Sequence, residues 1–354
     1  MKFNKDSKIF VAGHTGLVGS TIYSHLHKLG YSNLVTADLK SIDLRRQTET
    51  ENFFDEEKPE IVFLAAAKVG GIVANDTYKA EFIYDNLMIA ANIIHSSYKF
   101  GVTKLLNLGS SCIYPKMAPQ PLTESALLTG TLEETNEPYA IAKIAALKLC
   151  HYYNIQYGTD FISLMPTNLY GTNDNFNFET SHVLPALTRK IILAKALADD
   201  DREFILNDLA SRPLGYTNNN QEASSDIKNA VSCLKAIGIS STSIDLWGTG
   251  TPLREFLHVD DLADACIYFM LNFDAQQIGE FINIGTGKEI SIMDLAEKIK
   301  EIVGYNGSIS FDSSKPDGTP RKLLDVSKAK SLGWSSQISL DEGLEKVISN
   351  YYKK

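Results

Sequence analysis

Gly13-His14-Thr15-Gly16-Leu17-Val18-Gly19 is the feature that most limits what this chain can become. The apolar run KIFVAG (Lys8 to Gly13) breaks at its first glycine. TGLVGSTIYSHLHKLG then shows helical spacing and stops at Gly30. A strand that turns through glycines into a helix opens a parallel α/β sheet. Glycines let a backbone approach a pyrophosphate, and the helix N-terminus supplies N–H groups and partial positive charge. The spacing is GxxGxxG, and glycine turns after strands are common, so the motif takes its meaning from its place in the first strand–helix unit. There it predicts a dinucleotide site.

The pattern repeats. LVTAD (Leu34 to Asp38), IVFLAAA (Ile61 to Ala67), KLLNLGS (Lys104 to Ser110) and FISLMPTNLYG (Phe161 to Gly171) read as strands, with helical stretches such as FIYDNLMIAANIIHSSYKF between them. This alternation predicts a doubly wound parallel sheet of Rossmann type. Ligands bind beyond the carboxyl ends of such strands, where the polar tips GHTG, AAAKVGG, GSSC and PTNLYG all fall. The length of 354 residues suits two lobes. After Gly171 the pattern changes, and residues 198–243 read as an added segment, expected as a surface subdomain at the edge of the substrate lobe, where an oligomer contact could fall. Within it SSDIKNAVSCLKAIG predicts a helix with Ile227, Val231, Leu234 and Ile237 on its apolar face and a serine N-cap. The NNN and SSTS runs read as exposed loops.

A net charge of −9 supplies no positive field for nucleic acid or an anionic membrane. Cys112, Cys150, Cys233 and Cys266 form no CxxC and no zinc spacing, so we expect no metal and a reducing compartment. The polar N-terminus MKFNKDS has no signal-peptide apolar region, which predicts a cytoplasmic protein.

Asp38 ends the second strand where an acid would bind an adenosine ribose, arguing for NAD. Lys40 nearby suits a 2′-phosphate, arguing for NADP. Further on, Tyr139 and Lys143 lie four residues apart at the start of a helix, on one face. An ammonium beside a phenol is expected to lower the tyrosine pKa from about 10, so that the pair exchanges a proton with a carbonyl or alcohol. Ser110 would polarise the same oxygen. YxxxK is common by chance; its order here, after a glycine loop and a strand-end GSS, gives it weight.

This set resembles the extended short-chain dehydrogenase/reductases, which act largely on nucleotide sugars. AAAKVGGIVAN, LGSSCIYPK, TNEPYAIAKIA, MPTNLYG, SHVLPAL, WGTGTPLREFLHVDD and KPDGTPRKLLDV extend the resemblance to the GDP-L-fucose synthase family over nearly the whole chain, the added segment excepted. The resemblance implies a 3,5-epimerase/4-reductase acting on a GDP-linked 4-keto-deoxy sugar, GDP-4-keto-6-deoxy-D-mannose, with NADP(H). It implies an NADP-binding Rossmann domain over 1–171, with contributions from about 254–285, and a smaller mixed α/β substrate-binding lobe over 172–253 and 286–354. It makes Tyr139, Lys143 and Ser110 the group at the C4 oxygen. Cys112 becomes the base and His182 the acid at the carbons beside it. A lone buried cysteine is otherwise most often inert. Cofactor contacts are implied for Gly13, His14, Thr15, Gly16, Leu17, Val18, Gly19, Asp38, Lys40, Leu108, Gly109, Ser110, Lys143, Pro166, Asn168, Leu169 and His182. Substrate contacts are implied for Ser111, Asn168, Lys190, Trp247, Arg254 and Asp317. The other histidines, His14 and His258 included, read as structural or supporting. A homodimer is implied through the YxxxK helix and the helix near FIYDNLMIAANIIHSSYKF.

The chain departs from the family where Thr15 stands and near Leu39, positions at which some members carry arginines that bind a 2′-phosphate. Lys190 keeps the charge of an arginine found in some members and loses its bidentate fork. Two other readings stand beside this one: an epimerase/reductase of a GDP-4-keto-heptose, and a non-catalytic dinucleotide-binding scaffold. A 4,6-dehydratase is disfavoured, because it would carry an acid where Ser111 and Cys112 stand.

Overall fold

A computed structural model describes residues 4–38, 40–212, 214, 224–315 and 317–353. Leu39 and the NNN run, Asn218 to Asn220, lie outside the described residues. The strands are β1 (Ile9–Ala12), β2 (Leu34–Val35), β3 (Ile61–Leu64), β4 (Lys104–Leu108), β5 (Phe161–Pro166), β6 (Asn168–Tyr170), β7 (Ser243–Trp247), β8 (Leu253–His258), β9 (Ile282–Ile284), β10 (Glu289–Ser291), β11 (Ser308–Asp312) and β12 (Arg321–Lys322). The principal helices are α1 (Leu17–Lys28), α2 (Gln47–Glu57), α3 (Lys79–Lys99), α4 (Glu137–Tyr157), α5 (Val183–Ala198), α6 (Arg202–Ser211), α7 (Ile227–Ala236) and α8 (Val259–Asn272).

Six strands form a parallel sheet in the order β2-β1-β3-β4-β5-β9. Each strand residue of β1 is fully buried, as a strand covered on both faces must be. Its side chains alternate between two cores. Ile9 and Val11 pack with Ile22 and Leu26 of α1 and with Leu262 and Phe269 of α8. Phe10 and Ala12 pack with Phe53 and Phe54 of α2, Ile93 and Ile94 of α3, and Ala146 and Cys150 of α4. The strand order reverses at β1, so a crevice opens at the carboxyl ends there.

A second sheet runs β10-β8-β12, with β6 also paired to β8, and β7 pairs with β11. FISLMPTNLYG is therefore two strands, not one. At Thr167 the chain leaves the main sheet: its N–H donates to Ile284 O at 3.0 Å, its hydroxyl reaches Glu255 O at 3.3 Å, and Asn168–Tyr170 then pair with Phe256–His258. LVTAD is strand only at Leu34–Val35, because the chain turns at Asp38, whose carbonyl accepts from the N–H groups of Ser41 and Ile42 at 2.9 Å.

The two described helices of the added segment pack into the core and not on the surface alone. Ile205 and Leu209 of α6 and Ala230 and Leu234 of α7 are buried in the same core as Ile191 and Ile192 of α5. Arg189 of α5 is fully buried and donates to Asp208 Oδ1 of α6 through Nε at 3.0 Å and Nη2 at 2.8 Å. Tyr351 donates its hydroxyl to Asp208 Oδ2 as well. The helix expected over SSDIKNAVSCLKAIG is α7, but its N-cap is Asp226, not serine. The Asp226 carboxylate accepts from the N–H groups of Lys228 and Asn229 at 2.8 and 3.0 Å, a stronger cap than a neutral hydroxyl one residue too early. Val231 is exposed, and Ala230 takes the buried place. The SSTS run forms a tight turn into β7, with Ser240 N–H donating to Ser243 O at 2.9 Å.

Candidate active site

A cleft of about 1830 Å³ runs from the glycine loop, past the tips of β4 and β5, to β7, β8 and residues 312–322. The glycine loop fits a pyrophosphate cradle. Gly13 adopts φ +88°, and a Cβ there would stand 2.8 Å from the Ala66 backbone. A Cβ on Gly19 would lie 2.1 Å from Gly13 O, so the loop and the first turn of α1 touch backbone to backbone. Gly13, Thr15, Gly16, Leu17, Val18, Gly19 and Asp38 line the cleft. His14 and Lys40 do not: Lys40 is exposed, and its N–H donates to Asp38 Oδ1 at 3.0 Å.

Leu108, Gly109, Ser110, Ser111 and Cys112 carry the lining onward from β4. A Cβ on Gly109 would stand 2.0 Å from Met165 Sδ, which is why only glycine lets β4 end against β5 here. Ser110 caps a single short turn, Ser111–Ile113, its Oγ accepting from the Cys112 N–H at 3.4 Å. That capped turn fixes Ser110 and Cys112 relative to each other.

Helix α4 begins at Glu137-Pro138, proline being suited to a first turn that needs no N–H partner. It brings Tyr139 and Lys143 to the cleft. Lys143 Nζ donates to Leu108 O at 2.8 Å and lies 5.7 Å from the centre of the Tyr139 ring. Burial depresses the Lys143 ammonium to about 8, with Cys112 opposing the shift. The expected drop in the tyrosine pKa is not what the site produces. Burial of the phenol, helped by the nearby Cys112, holds Tyr139 well above its ordinary value. Desolvation favours the neutral phenol, and the lysine's own hydrogen bond goes to the Leu108 carbonyl.

His182 precedes α5 and opens onto the same cleft, as do Pro166, Asn168 and Leu169. His182 is exposed to the cleft; desolvation between the cleft walls, with the charge of Lys322, lowers its pKa. In the far half of the cleft stand Lys190, Trp247, Arg254 and Asp317. Lys190 is partly committed: Nζ donates to Ile237 O at 3.0 Å and Asp245 O at 3.2 Å, and burial lowers it to about 8. Asp317 accepts from the Thr249 N–H and hydroxyl at 2.9 and 2.7 Å, which holds its carboxyl below the usual range. Asn168 donates to Glu255 O at 2.8 Å. His258 is structural: Nδ1 accepts from the Asp260 N–H at 3.2 Å at the start of α8.

Sequence reasoning missed several polar lining residues. Lys322 faces both Cys112 and His182 electrostatically, and its place in KPDGTPRKLLDV was the available signal. Arg45 is bound by Asp43 and Asp85, its Nε reaching Asp43 Oδ1 at 2.8 Å and its Nη1 reaching Asp85 Oδ1 at 3.1 Å. Burial raises the Asp174 carboxyl to about 7, although TNDNF reads as an ordinary polar loop. Asn75 and Ser181 line the cleft as well. Among the described residues no cluster of metal-binding side chains occurs, and no helix is long and apolar enough to cross a membrane.

The fold and the glycine-lined cleft define a dinucleotide-dependent enzyme of the epimerase/dehydratase class, and the model of the NAD dependent epimerase/dehydratase family matches residues 9–218 and 209–285. The chain is 51% identical to GDP-L-fucose synthase 1 of Arabidopsis thaliana, over 99% of this chain and 94% of that one. It is 47% identical to the GDP-L-fucose synthase of Escherichia coli, over 95% and 94%. Among solved structures, the GDP-mannoheptose C4 reductase from Campylobacter jejuni with NADP bound has a TM-score of 0.86 at 43% identity, over 99% of this chain and 100% of that one. The chain belongs to the NAD dependent epimerase/dehydratase family, in its GDP-L-fucose synthase branch.

Proposed function

We propose that the protein converts GDP-4-keto-6-deoxy-D-mannose to GDP-L-fucose with NADPH, by epimerisation at C3 and C5 and reduction at C4. The observation that carries this reading is that Ser110, Cys112, Tyr139, Lys143 and His182, from three parts of the chain, line one cleft continuous with the glycine loop. Identity near 50% to GDP-L-fucose synthases supports it. The NADP bound to the Campylobacter jejuni relative supports the choice of cofactor.

The glycine loop Gly13–Gly19 holds the pyrophosphate of the cofactor, whose nicotinamide supplies a hydride when bound. Tyr139 and Ser110 hold the C4 oxygen. They stabilise the negative charge that develops there when Cys112 takes a proton from the neighbouring carbon. His182 returns a proton on the opposite face, which inverts the centre. Tyr139, kept protonated by burial, then gives its proton to the C4 oxygen as that carbon is reduced. The Lys143 ammonium, 5.7 Å from the Tyr139 ring centre, stabilises the tyrosinate that remains until solvent reprotonates it. Arg254 and Lys190 offset the diphosphate charge.

In this reading residues 1–171 with about 254–285 form the dinucleotide domain, and 172–253 with 286–354 form the substrate lobe. β9, which joins the main sheet, supports the first assignment. Exposed Tyr84 and Tyr98 on α3 and Tyr152 and Ile155 on α4 support a homodimer through these helices, which light scattering would test. Four free cysteines suit a reducing, cytoplasmic setting.

Incubation with GDP-4-keto-6-deoxy-D-mannose and NADPH in heavy water tests the function. Deuterium at both C3 and C5, with NADPH oxidised, is expected. Reduction without exchange would leave a C4 reductase, and a heptose substrate preferred under the same conditions would move the assignment to the seven-carbon sugar.

A further inference from the structure

Three polar side chains in the cleft wall keep an atom without any partner: Asn75 Oδ1, Asp174 Oδ2 and Ser181 Oγ, of which the first and last stand together. Both residues are buried, at 6% and 9% exposure. The Asn75 amide has a defined orientation. Nδ2 donates to Gly70 O at 2.7 Å and to Gly71 O at 3.0 Å, so the oxygen is left as an acceptor with nothing to accept. Buried polar atoms are ordinarily satisfied, and an orphan of this kind in a ligand cleft points to a donor that arrives with the ligand.

The two residues are joined by the backbone around them. Gly71 N–H donates to Thr180 O at 2.9 Å, and a Cβ on Gly71 would stand 2.5 Å from Ser181 O. On its other side this strap meets the proposed proton donor. A Cβ on Gly70 would be 3.2 Å from the Phe82 ring, and the Phe82 and Tyr139 ring centres are 6.4 Å apart. Ser181 is followed directly by His182. The orphan atoms therefore belong to the stretch of wall between the group at the ketone oxygen and the group at the carbon beside it.

We propose that Asn75 and Ser181 recognise the hydroxyl on the carbon adjoining the ketone, C3 of the sugar: Asn75 Oδ1 accepts its proton, and Ser181 Oγ donates to its oxygen. The inference rests on the function proposed above. Of the two carbons flanking C4, only C3 carries a hydroxyl, while C5 carries a methyl group that neither polar atom would stabilise. A site that binds a hydroxyl with buried polar groups rejects the analogue lacking it, because those groups are then left unpaired. The pair would thus set specificity at the first centre to be inverted.

The test compares GDP-4-keto-6-deoxy-D-mannose with its 3-deoxy counterpart on the wild-type enzyme, Ser181→Ala and Asn75→Ala. NADPH titration and thermal melting show that each variant is folded. For Ser181→Ala, kcat/KM should fall about tenfold on the hydroxylated sugar and stay within about twofold on the 3-deoxy sugar, the effect of one neutral hydrogen bond. Asn75→Ala also loosens the strap and lowers both values, but the hydroxylated sugar should lose about tenfold more. Equal losses on the two sugars, or none on either, would overturn the proposal while leaving the function intact. A wild-type enzyme inactive on both sugars would sink the function and this inference together.

Discussion

Lys143, in the second turn of the YxxxK helix, donates from Nζ to the carbonyl of Leu108 at the end of β4, at 2.8 Å. The bond ties the helix carrying Tyr139 to the strand whose tip carries Ser110 and Cys112. Burial of the phenol beside this bond, with the nearby Cys112, holds Tyr139 above its ordinary value.

Tyr139→Phe keeps the ring and removes the proton donor. NADPH oxidation should fall by about a hundredfold or more, the usual share of a positioned general acid. Cofactor affinity, read by fluorescence titration, should change little. A variant that reduces the ketone at the wild-type rate would take Tyr139 out of the proton path.

Cys112→Ser replaces a thiol by a far weaker base of similar size. Deuterium incorporation beside the ketone should drop by about a hundredfold or more. NADPH binding should persist, since the Cys112 N–H contact to Ser110 Oγ uses the backbone. Unchanged exchange would restore the reading of Cys112 as an inert packed thiol.

Activity should depend on pH with a defined sign. Lys143 carries its charge below about 8 and loses it as pH rises through that value, so reduction should decline above pH 8. His182 titrates below its ordinary value, so its acid form becomes more abundant only as pH falls under about 6.5. The supply of His182 acid should therefore limit proton return above that range, and His182→Asn should remove this part of the pH dependence of exchange. Separate pH profiles of deuterium uptake and NADPH oxidation check both signs.

Asp38 lines the cleft beside the glycine loop while Arg45 is held by Asp43 and Asp85. We expect a lower KM for NADPH than for NADH. Asp38→Asn should lower the NADPH value further, by about fivefold, the effect of relieving one charge contact of roughly 1 kcal/mol. A lower KM for NADH in the wild-type enzyme would reverse the cofactor assignment.

Asp208→Ala would leave the fully buried Arg189 without its carboxylate. Breaking one side of such a pair costs about 3–5 kcal/mol, and urea denaturation should show a loss of that order. A loss below about 1 kcal/mol, the worth of an exposed pair, would mean that the segment is peripheral after all.

The architecture was legible because strands buried on both faces must be continuous apolar runs, as IFVA and IVFL are. The glycine loop was legible because only glycine permits the approaches seen at Gly13 and Gly19. Ser110, Tyr139 and Lys143 could be named because strand ends and helix starts bring such residues to one edge, whereas Cys112 and His182 were named on the family resemblance. Other features depend on contacts between distant segments, which local spacing does not encode. Nothing in FISLMPTNLYG marks Thr167 as the point where the chain changes sheets; Glu255 and Ile284 decide that. The polar stretch 198–243 hides α6 because the partner of Asp208, Arg189, lies nineteen residues upstream.

The sequence by itself determined the doubly wound sheet, the dinucleotide loop and the residue types able to move protons, because these follow from periodicity and from side-chain chemistry. Only the tertiary structure decided the state of those residues. Burial keeps Tyr139 protonated and depresses Lys143, the Leu108 carbonyl takes the lysine's hydrogen bond, and Asn75 and Ser181 each keep a polar atom unpaired. Desolvation and hydrogen-bond supply belong to the packed surroundings of a group, and those exist only once the chain has folded.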